Sequence, residues 1–136
     1  MITALDTNVL LDLWVSDPAF GEKSRQAMMA ADAQGSLVIC EVVYAELSSR
    51  FTMQAALDRR LDELEIEVRP VTRPAAYAAG HAWARYRQSG GPRTRIMADF
   101  LIGAHAAVAA DRFMTRDRGF YRGHFAKLVI VDPSLL

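Results

Sequence analysis

The sequence predicts an α/β fold in which a mostly parallel sheet is covered by helices on both faces. Short apolar runs typical of buried strands alternate along the 136 residues with longer runs of helical periodicity. The chain is 51% hydrophobic, enough for one substantial core. No repeat, low-complexity stretch or long linker divides it, so we expect a single domain spanning residues 1–136.

The first half of the chain predicts two strands and four helical runs. ITALD forms the first strand, and Thr7 or Asn8 is expected to cap the helix that runs through VLLDLW. A helix restarts near Asp17 and stops at Gly35. SLVIC forms the second strand, which is followed by a helix containing Glu46 and by a further helix in QAALDRRLDEL.

The second half continues the alternation. EIEVRPV alternates like a strand, and PAAYAAGHAWARYRQ predicts a long helix that ends before Gly90. The run from Ile96 to Ala110 is apolar nearly all round, which predicts a buried helix with Asp99 in its interior. RFMT is a short strand, a turn-rich segment around Gly119 and Gly123 follows, and KLVIV is the last strand.

Four carboxylates occur where this fold would bring them together. Asp6 closes the first strand and Asp117 follows a late one, whereas Asp99 and Glu46 lie in apolar helical runs, Glu46 on the inward edge of its helix. A buried ionised group is costly unless it is paired or coordinated. In parallel sheets, functional groups gather beyond the carboxyl ends of the strands. We therefore predict that these four acids form one site.

Oxygen ligands of this kind favour Mg²⁺ or Mn²⁺ over zinc. Cys40 is the only cysteine, and the three histidines His81, His105 and His124 are too scattered for a zinc-like spacing. A magnesium ion that keeps several waters can activate one of them and neutralise charge on a phosphate, as phosphodiester hydrolysis requires. The single cysteine also excludes an internal disulfide and fits a reducing cytoplasm.

The charges balance overall but are separated along the chain. Residues 1–68 carry a net charge of −7 and residues 69–136 a net charge of +7. Such asymmetry is typical of an acidic site beside a basic, substrate-holding surface, and also of unevenly spread solvated charge. No apolar run is long enough to span a membrane. The candidate substrate-binding residues are the arginines nearest in sequence to Asp99 and Asp117, namely Arg93, Arg95, Arg116 and Arg118.

Four segments together resemble a known family. ALDTNVLLDL, EVVYAEL, MADFLIGAHA and FMTRDRGFY are similar, in content and order, to segments of the PIN-domain ribonucleases, particularly the VapC-like toxins of bacterial and archaeal toxin–antitoxin pairs. The resemblance implies a PIN-like three-layer sandwich and a metal-dependent endoribonuclease, often a homodimer, that a cognate antitoxin holds inactive. The resemblance also implies that the catalytic and metal-binding residues are Asp6, Glu46, Asp99 and Asp117. It implies supporting roles for Asn8 and for Thr115, which lies two residues before the last acid.

Two other functions are left open by the sequence. A non-catalytic RNA- or protein-binding module could use the same scaffold and keep the acids for folding, although four mutually repelling carboxylates argue against this. A phosphatase with Asp6 as its nucleophile is the second alternative. It is disfavoured because Asn8 stands where such hydrolases place a second aspartate and because no lysine occupies an equivalent late motif. RNA cleavage that depends on Mn²⁺, without phosphatase activity, would identify the nuclease.

Overall fold

The computed structural model describes residues 1–92 and 95–136 and contains a five-stranded sheet. Its strands are β1 (Ile2–Leu5), β2 (Ser36–Ile39), β3 (Ile66–Val68), β4 (Arg112–Met114) and β5 (Ile130–Val131). They are ordered β3-β2-β1-β4-β5, and all four neighbouring pairs are parallel. The predicted α/β class with a parallel sheet is confirmed.

Helices connect the strands. Those in the described ranges are α1 (Thr7–Trp14), α2 (Gly21–Gln34), α3 (Glu41–Ser48), α4 (Gln54–Glu63), α5 (Arg73–Gln88), α6 (Met97–Ala109) and α7 (Arg118–His124), with a 3-10 turn at Pro133–Leu135. Together with the sheet they form the three-layer sandwich expected from the sequence. Over the ranges the structure covers, every helix is too short or too polar to cross a membrane.

Strand β1 lies at the centre of the sheet, and Thr3, Ala4 and Leu5 are buried. A strand covered on both faces is mainly apolar rather than alternating, which explains why three of the four residues of ITAL are apolar. A second core lies between α5 and α6, where the small side chains of α5 pack near Phe100 and Ala104. Small residues at helical spacing let the two helices approach closely.

The structure corrects the predicted start of α1. The cap is Asp6, whose carboxylate accepts a hydrogen bond from the Thr7 N–H at 2.8 Å. The predicted caps, Thr7 and Asn8, lie inside the helix. Their side chains are therefore available for contacts with the acids.

The position of Asp99 also differs from the prediction. It is the third residue of α6 rather than an interior one, and its carboxylate accepts a hydrogen bond from the Ile96 N–H at 3.2 Å. An acid in the first turn of a helix is favoured by the helix dipole and by the free N–H groups there. Asp99 therefore has a local structural role that the apolar composition of the run did not reveal.

The segment predicted to be turn-rich is instead helix α7. A Cβ atom at Gly119 or Gly123 would meet nothing within 4 Å, so space does not require either glycine. Tyr121, 1% exposed, anchors the helix against Phe113, with ring centroids 4.8 Å apart. Tertiary packing of this kind outweighs the low helix propensity of glycine. The strands predicted in EIEVRPV and KLVIV are present but shorter, at β3 and β5.

Candidate active site

The register of β1 and β4 brings together the two strand ends that carry site residues. Leu5 pairs with Met114, so the following residues, Asp6 and Thr115, are neighbours. The buried Thr115 hydroxyl donates to Asp6 Oδ2 at 2.7 Å and accepts from the Asp117 N–H at 3.0 Å. One hydroxyl therefore connects two of the four predicted acids.

Asn8 joins α1 to the same network. Its Nδ2 lies 3.3 Å from Asp6 Oδ2 and 3.4 Å from Thr115 Oγ1. Its Oδ1 accepts from the Arg116 N–H at 3.3 Å. The amide thus contacts both strand ends and links α1 to them.

Glu46 reaches the site through Thr7. The Thr7 hydroxyl donates to Glu46 Oε1 at 2.6 Å, and the N–H of the same residue is bound to Asp6. Glu46 is exposed, so the prediction that it lies on the inward edge of its helix is wrong. Its position on the solvent side of the acids leaves its carboxylate accessible to a ligand.

Arg95 forms an ion pair with Asp117. Its Nη1 and Nη2 donate to Asp117 Oδ2 and Oδ1 at 2.5 and 3.1 Å, and its guanidinium lies 4.3 Å from the centre of the Phe120 ring. The bond with Asp117 raises the pKa of Arg95, and the charge of Asp99 contributes to the same effect. Asp117 therefore has a cationic partner supplied by the chain itself, whose charge is also felt at Asp99.

The charges of all four acids act on a buried phenol, that of Tyr121. Burial raises the pKa of Tyr121, and the charges of Asp6, Asp99, Asp117 and Glu46 raise it further. Tyr121 thus lies close enough to the four acids for their charges to act on it. Sequence reasoning did not single it out, although its position four residues after Asp117, one helical turn away, was an available signal.

Asp6 is the most deeply buried of the four, at 6% exposure. Burial raises the pKa of its carboxyl to about 6, hydrogen bonds from Thr115 and Thr7 oppose the rise, and the charges of Glu46 and Asp117 add to it. The cluster therefore holds a carboxylate whose charge is disfavoured in the metal-free protein. A cation placed beside it would relieve that cost.

The other predicted basic residues lie at the edge of the site. Arg116 binds Asp12 through two hydrogen bonds of 2.5 and 2.9 Å and lies over the Phe20 ring. Arg118 is 3.7 Å from Asp132 and half exposed. Arg93 lies outside the described residues. The buried acid Asp12 was not predicted, although it sits in an apolar helical run just as Asp99 does.

The donor set fits a hard divalent cation, because it consists of carboxylate, amide and hydroxyl oxygens. In the described part of the chain, however, no three His, Cys, Asp or Glu side chains are already arranged to hold a metal ion. Three of the acids already have hydrogen-bond partners: Asp117 is bound by Arg95, Glu46 by Thr7 and Asp99 by the Ile96 N–H. A metal would have to take over oxygens that now have other partners.

Comparisons with known proteins identify the family and the fold. The family model for the PIN domain matches residues 3–125, whereas curated protein sequences give no match. Solved structures with the same fold include VapBC2 from Rickettsia felis bound to a promoter DNA fragment (20% identity, TM-score 0.75, covering 97% of this chain and 98% of that one). Another is a toxin–antitoxin complex from Klebsiella pneumoniae (17% identity, TM-score 0.68, 96% and 97%). A third is FitAcB from Neisseria gonorrhoeae (22% identity, TM-score 0.70, 100% and 100%).

At these identities the solved structures show a shared fold and nothing finer. The family match is the stronger result, because it covers most of the chain and includes Asp6, Glu46, Asp99 and Asp117. It agrees with the resemblance seen in the four sequence segments. This chain belongs to the PIN domain family.

Proposed function

We propose that this protein is a metal-dependent endoribonuclease that hydrolyses phosphodiester bonds in RNA. The observation that carries the proposal is the cluster of acids at the carboxyl ends of β1 and β4, where the Thr115 hydroxyl joins Asp6 to the Asp117 backbone and Thr7 joins Asp6 to Glu46. Such a cluster is costly unless a cation joins it. A scaffold with no cation to bind would gain stability by losing these charges.

In this proposal Asp6, Glu46, Asp99 and Asp117 would hold Mg²⁺ or Mn²⁺. The bound ion would supply an activated water and neutralise charge on the phosphate. The chain's own contribution is positioning. Thr115 orients both Asp6 and the backbone of Asp117, and Thr7 holds Glu46. Asn8 donates to the same Asp6 oxygen as Thr115 does.

The arginines would hold the RNA backbone beside the acids. A polyanion approaches an acidic cluster only if local cations offset the repulsion. Arg95 is closest, since it already touches Asp117, and Arg118 is the most exposed of the three described. Arg93 and Arg116 belong to the same proposal.

We further propose that the enzyme is the toxin of a toxin–antitoxin pair, with a cognate antitoxin as protein partner and with homodimers acting in the cytoplasm. The proposal is supported by family membership and by the fold shared with a toxin–antitoxin complex. Growth arrest on expression of the chain alone, relieved by co-expression of an adjacent gene product, would test the partner. Sedimentation of the purified chain would test the dimer.

The nuclease assay uses the purified chain, single-stranded RNA and Mn²⁺. We expect cleavage by the natural chain and a loss of at least about a hundredfold in Asp99→Asn, which removes a ligand charge. Asparagine keeps the volume of aspartate, and its oxygen still accepts from the Ile96 N–H, so α6 is expected to remain intact. Cleavage by Asp99→Asn at the natural rate would refute the assignment of the site.

One contact favours a non-catalytic binding module as the second candidate. Arg95 neutralises Asp117 within the chain, so that acid already has a structural partner. The same assay decides between the two, because a binding module retains RNA without cleaving it. An aryl phosphate assay in parallel addresses the phosphatase alternative, for which we expect no turnover.

Replacing Arg95 with glutamine is expected to change metal and RNA binding in opposite directions. Mn²⁺ affinity should rise about tenfold, because the ion no longer competes with a partly exposed bidentate ion pair. RNA affinity should fall, with a salt dependence shallower by about 0.7 for one lost phosphate contact on a single strand. Calorimetry with Mn²⁺ and fluorescence anisotropy with labelled RNA measure the two effects.

Arg87→Gln is the matched control, since it removes the same charge from a residue that lies over Trp83 rather than against an acid. Its Mn²⁺ affinity should stay within about twofold of the natural value, because exposed charges at a distance are screened. Equal tightening in both variants would show that the effect is one of general charge and that Arg95 does not compete for Asp117.

A further inference from the structure

A cavity of about 550 Å³ opens beside the acidic site, between the end of α5 and the start of α6. The residues lining it that matter here are Trp83, Tyr86, Arg87, Pro92, Arg95 and Ile96. Its volume falls within the range of pockets that bind small organic groups. Arg95 connects it to the catalytic candidates, because the guanidinium that lines the cavity also binds Asp117.

The chemistry of this cavity differs from that of the acidic site next to it. It has an indole face and two guanidinium groups, and no carboxylate belongs to its described lining. A second cavity, near α2 and the end of α4, is lined instead by Asp32, Glu63 and Glu65 with a single arginine. Of these two cavities, as the described residues line them, the first combines positive charge with an aromatic surface, the combination that single-stranded nucleic acids require.

The wall of the cavity is held in place by Tyr86. The Tyr86 hydroxyl donates to the Pro92 carbonyl, and its ring packs 5.4 Å from the ring of Phe100. The backbone at Gly91 lies so close that a Cβ there would come within 2.5 Å of the Tyr86 ring. The cavity is thus a built feature of the α5–α6 junction, supported by the second core.

Trp83 presents a usable stacking surface. It is half-buried against the α5–α6 core, and the Arg87 guanidinium lies over its ring at 4.8 Å. Stacking of a base on such a ring is more favourable than an exposed cation–aromatic contact. A base can therefore replace the guanidinium and free Arg87 for a phosphate.

We propose that this cavity binds one nucleotide of single-stranded RNA, whose base stacks on Trp83 while its phosphate is held by Arg87. This proposal rests on the proposed function and adds to it a binding site for one nucleotide next to the cleaved bond. Stacking tolerates any base, whereas the wall formed by Tyr86 and Ile96 limits how large a group fits.

Trp83 can report its own occupancy, because the chain has only two tryptophans. In Trp14→Phe, Trp83 is the sole indole. The probe is a short 2′-O-methyl oligonucleotide of mixed sequence, which resists cleavage, titrated with Mg²⁺ present. We expect saturable quenching of Trp83 emission by this oligonucleotide and none by an abasic strand of equal length, which carries the phosphates without the bases.

Affinity variants give an independent readout by anisotropy. Trp83→Ala should weaken oligonucleotide binding about tenfold, and Trp83→Tyr should restore it to within about twofold, since a stacking face is regained. Tyr77→Ala, at an exposed aromatic on the same helix outside the cavity, should bind as the natural chain does. In the cleavage assay, Trp83→Ala should raise KM and leave kcat nearly unchanged.

Several results would overturn the proposal. Binding of the oligonucleotide without any change in Trp83 emission, or natural affinity in Trp83→Ala, would place the RNA elsewhere. If Trp83 emission changes with the concentration of the protein and not with that of the oligonucleotide, Trp83 is instead a contact between copies of the chain. If RNA is still cleaved in any of these cases, the proposed function stands without this pocket. Base-dependent quenching with no cleavage would instead keep the pocket and refute the nuclease.

Discussion

Asp6→Asn is expected to abolish RNA cleavage and, at neutral pH without metal, to make the protein more stable. Loss of activity follows because Asp6 is the acid most deeply placed among the candidate ligands. The gain in stability follows because burial disfavours its charge, and Glu46 and Asp117 repel it. We expect an increase of about 1–2 kcal/mol in the free energy of unfolding, after allowing for weaker hydrogen bonds.

The pKa of Asp6 also predicts the direction in which stability changes with pH. The carboxyl of Asp6 has a pKa of about 6 in the folded chain and near 3.9 when unfolded. Between these values the folded state holds a proton that the unfolded state has released, so stability falls as the pH rises from about 4 to 6. The loss approaches about 3 kcal/mol above pH 6. Asp6→Asn removes this fall, as urea unfolding at several pH values in chelator would show.

Asp12→Asn is the matched control. Asp12 is equally buried, at 5% exposure, but it is bound by Arg116 and by the Ser24 hydroxyl. Neutralising it leaves Arg116 without its partner and should destabilise the chain by about 1–3 kcal/mol. If Asp6→Asn destabilises the metal-free protein as Asp12→Asn does, the acids are a structural network and the repulsion argument is wrong.

The sequence predicted the sheet and its site edge well because both depend on local patterns. Short apolar strands alternating with helices indicate parallel pairing, and residues after such strands share one edge. Asp6 and Asp117 were placed there by this rule, whereas Thr115 was implied only by the family resemblance. The order of the strands was not predictable in the same way, although it is the β1–β4 pairing that lets Thr115 contact Asp6.

The acids in apolar helices show how far a burial argument reaches. An acid in an apolar run needs a partner, and the argument is equally valid for Asp99 and Asp12. It cannot name the partner: Asp12 is bound by Arg116, 104 positions away. Asp99 is held by the start of its own helix, and Glu46 is exposed. Pairing between residues far apart in the chain depends on the tertiary structure, so the periodicity of the sequence does not predict it.

The basic half of the chain was predicted as a surface, yet its arginines are used partly inside the structure. Arg95 and Arg116 each bind an aspartate with two hydrogen bonds and lie over a phenylalanine ring. A planar guanidinium favours this combination of contacts. The sequence alone does not distinguish an arginine that is available to bind a phosphate from one that already binds a carboxylate.

Removal of divalent cations is expected to abolish cleavage, and Mg²⁺ or Mn²⁺ should restore it where Ca²⁺ does not. Ca²⁺ is larger, takes more ligands and activates bound water less well, whereas Mg²⁺ demands an octahedral set with waters retained. The proposed ligands are the carboxylates of Asp6, Glu46, Asp99 and Asp117. The measurement is RNA cleavage in excess chelator, followed by titration with each ion.

Stability supplies a readout that does not depend on turnover. An ion that binds only the folded chain stabilises it by about 2.7 kcal/mol when its concentration is one hundred times Kd. Mn²⁺ should therefore raise the melting temperature of the natural chain, and less so that of Asp117→Asn. In Arg95→Gln the same stabilisation should appear at a lower Mn²⁺ concentration, because Asp117 is no longer occupied. Full cleavage in chelator, or a melting temperature that Mn²⁺ leaves unchanged in all three proteins, would exclude the metal mechanism.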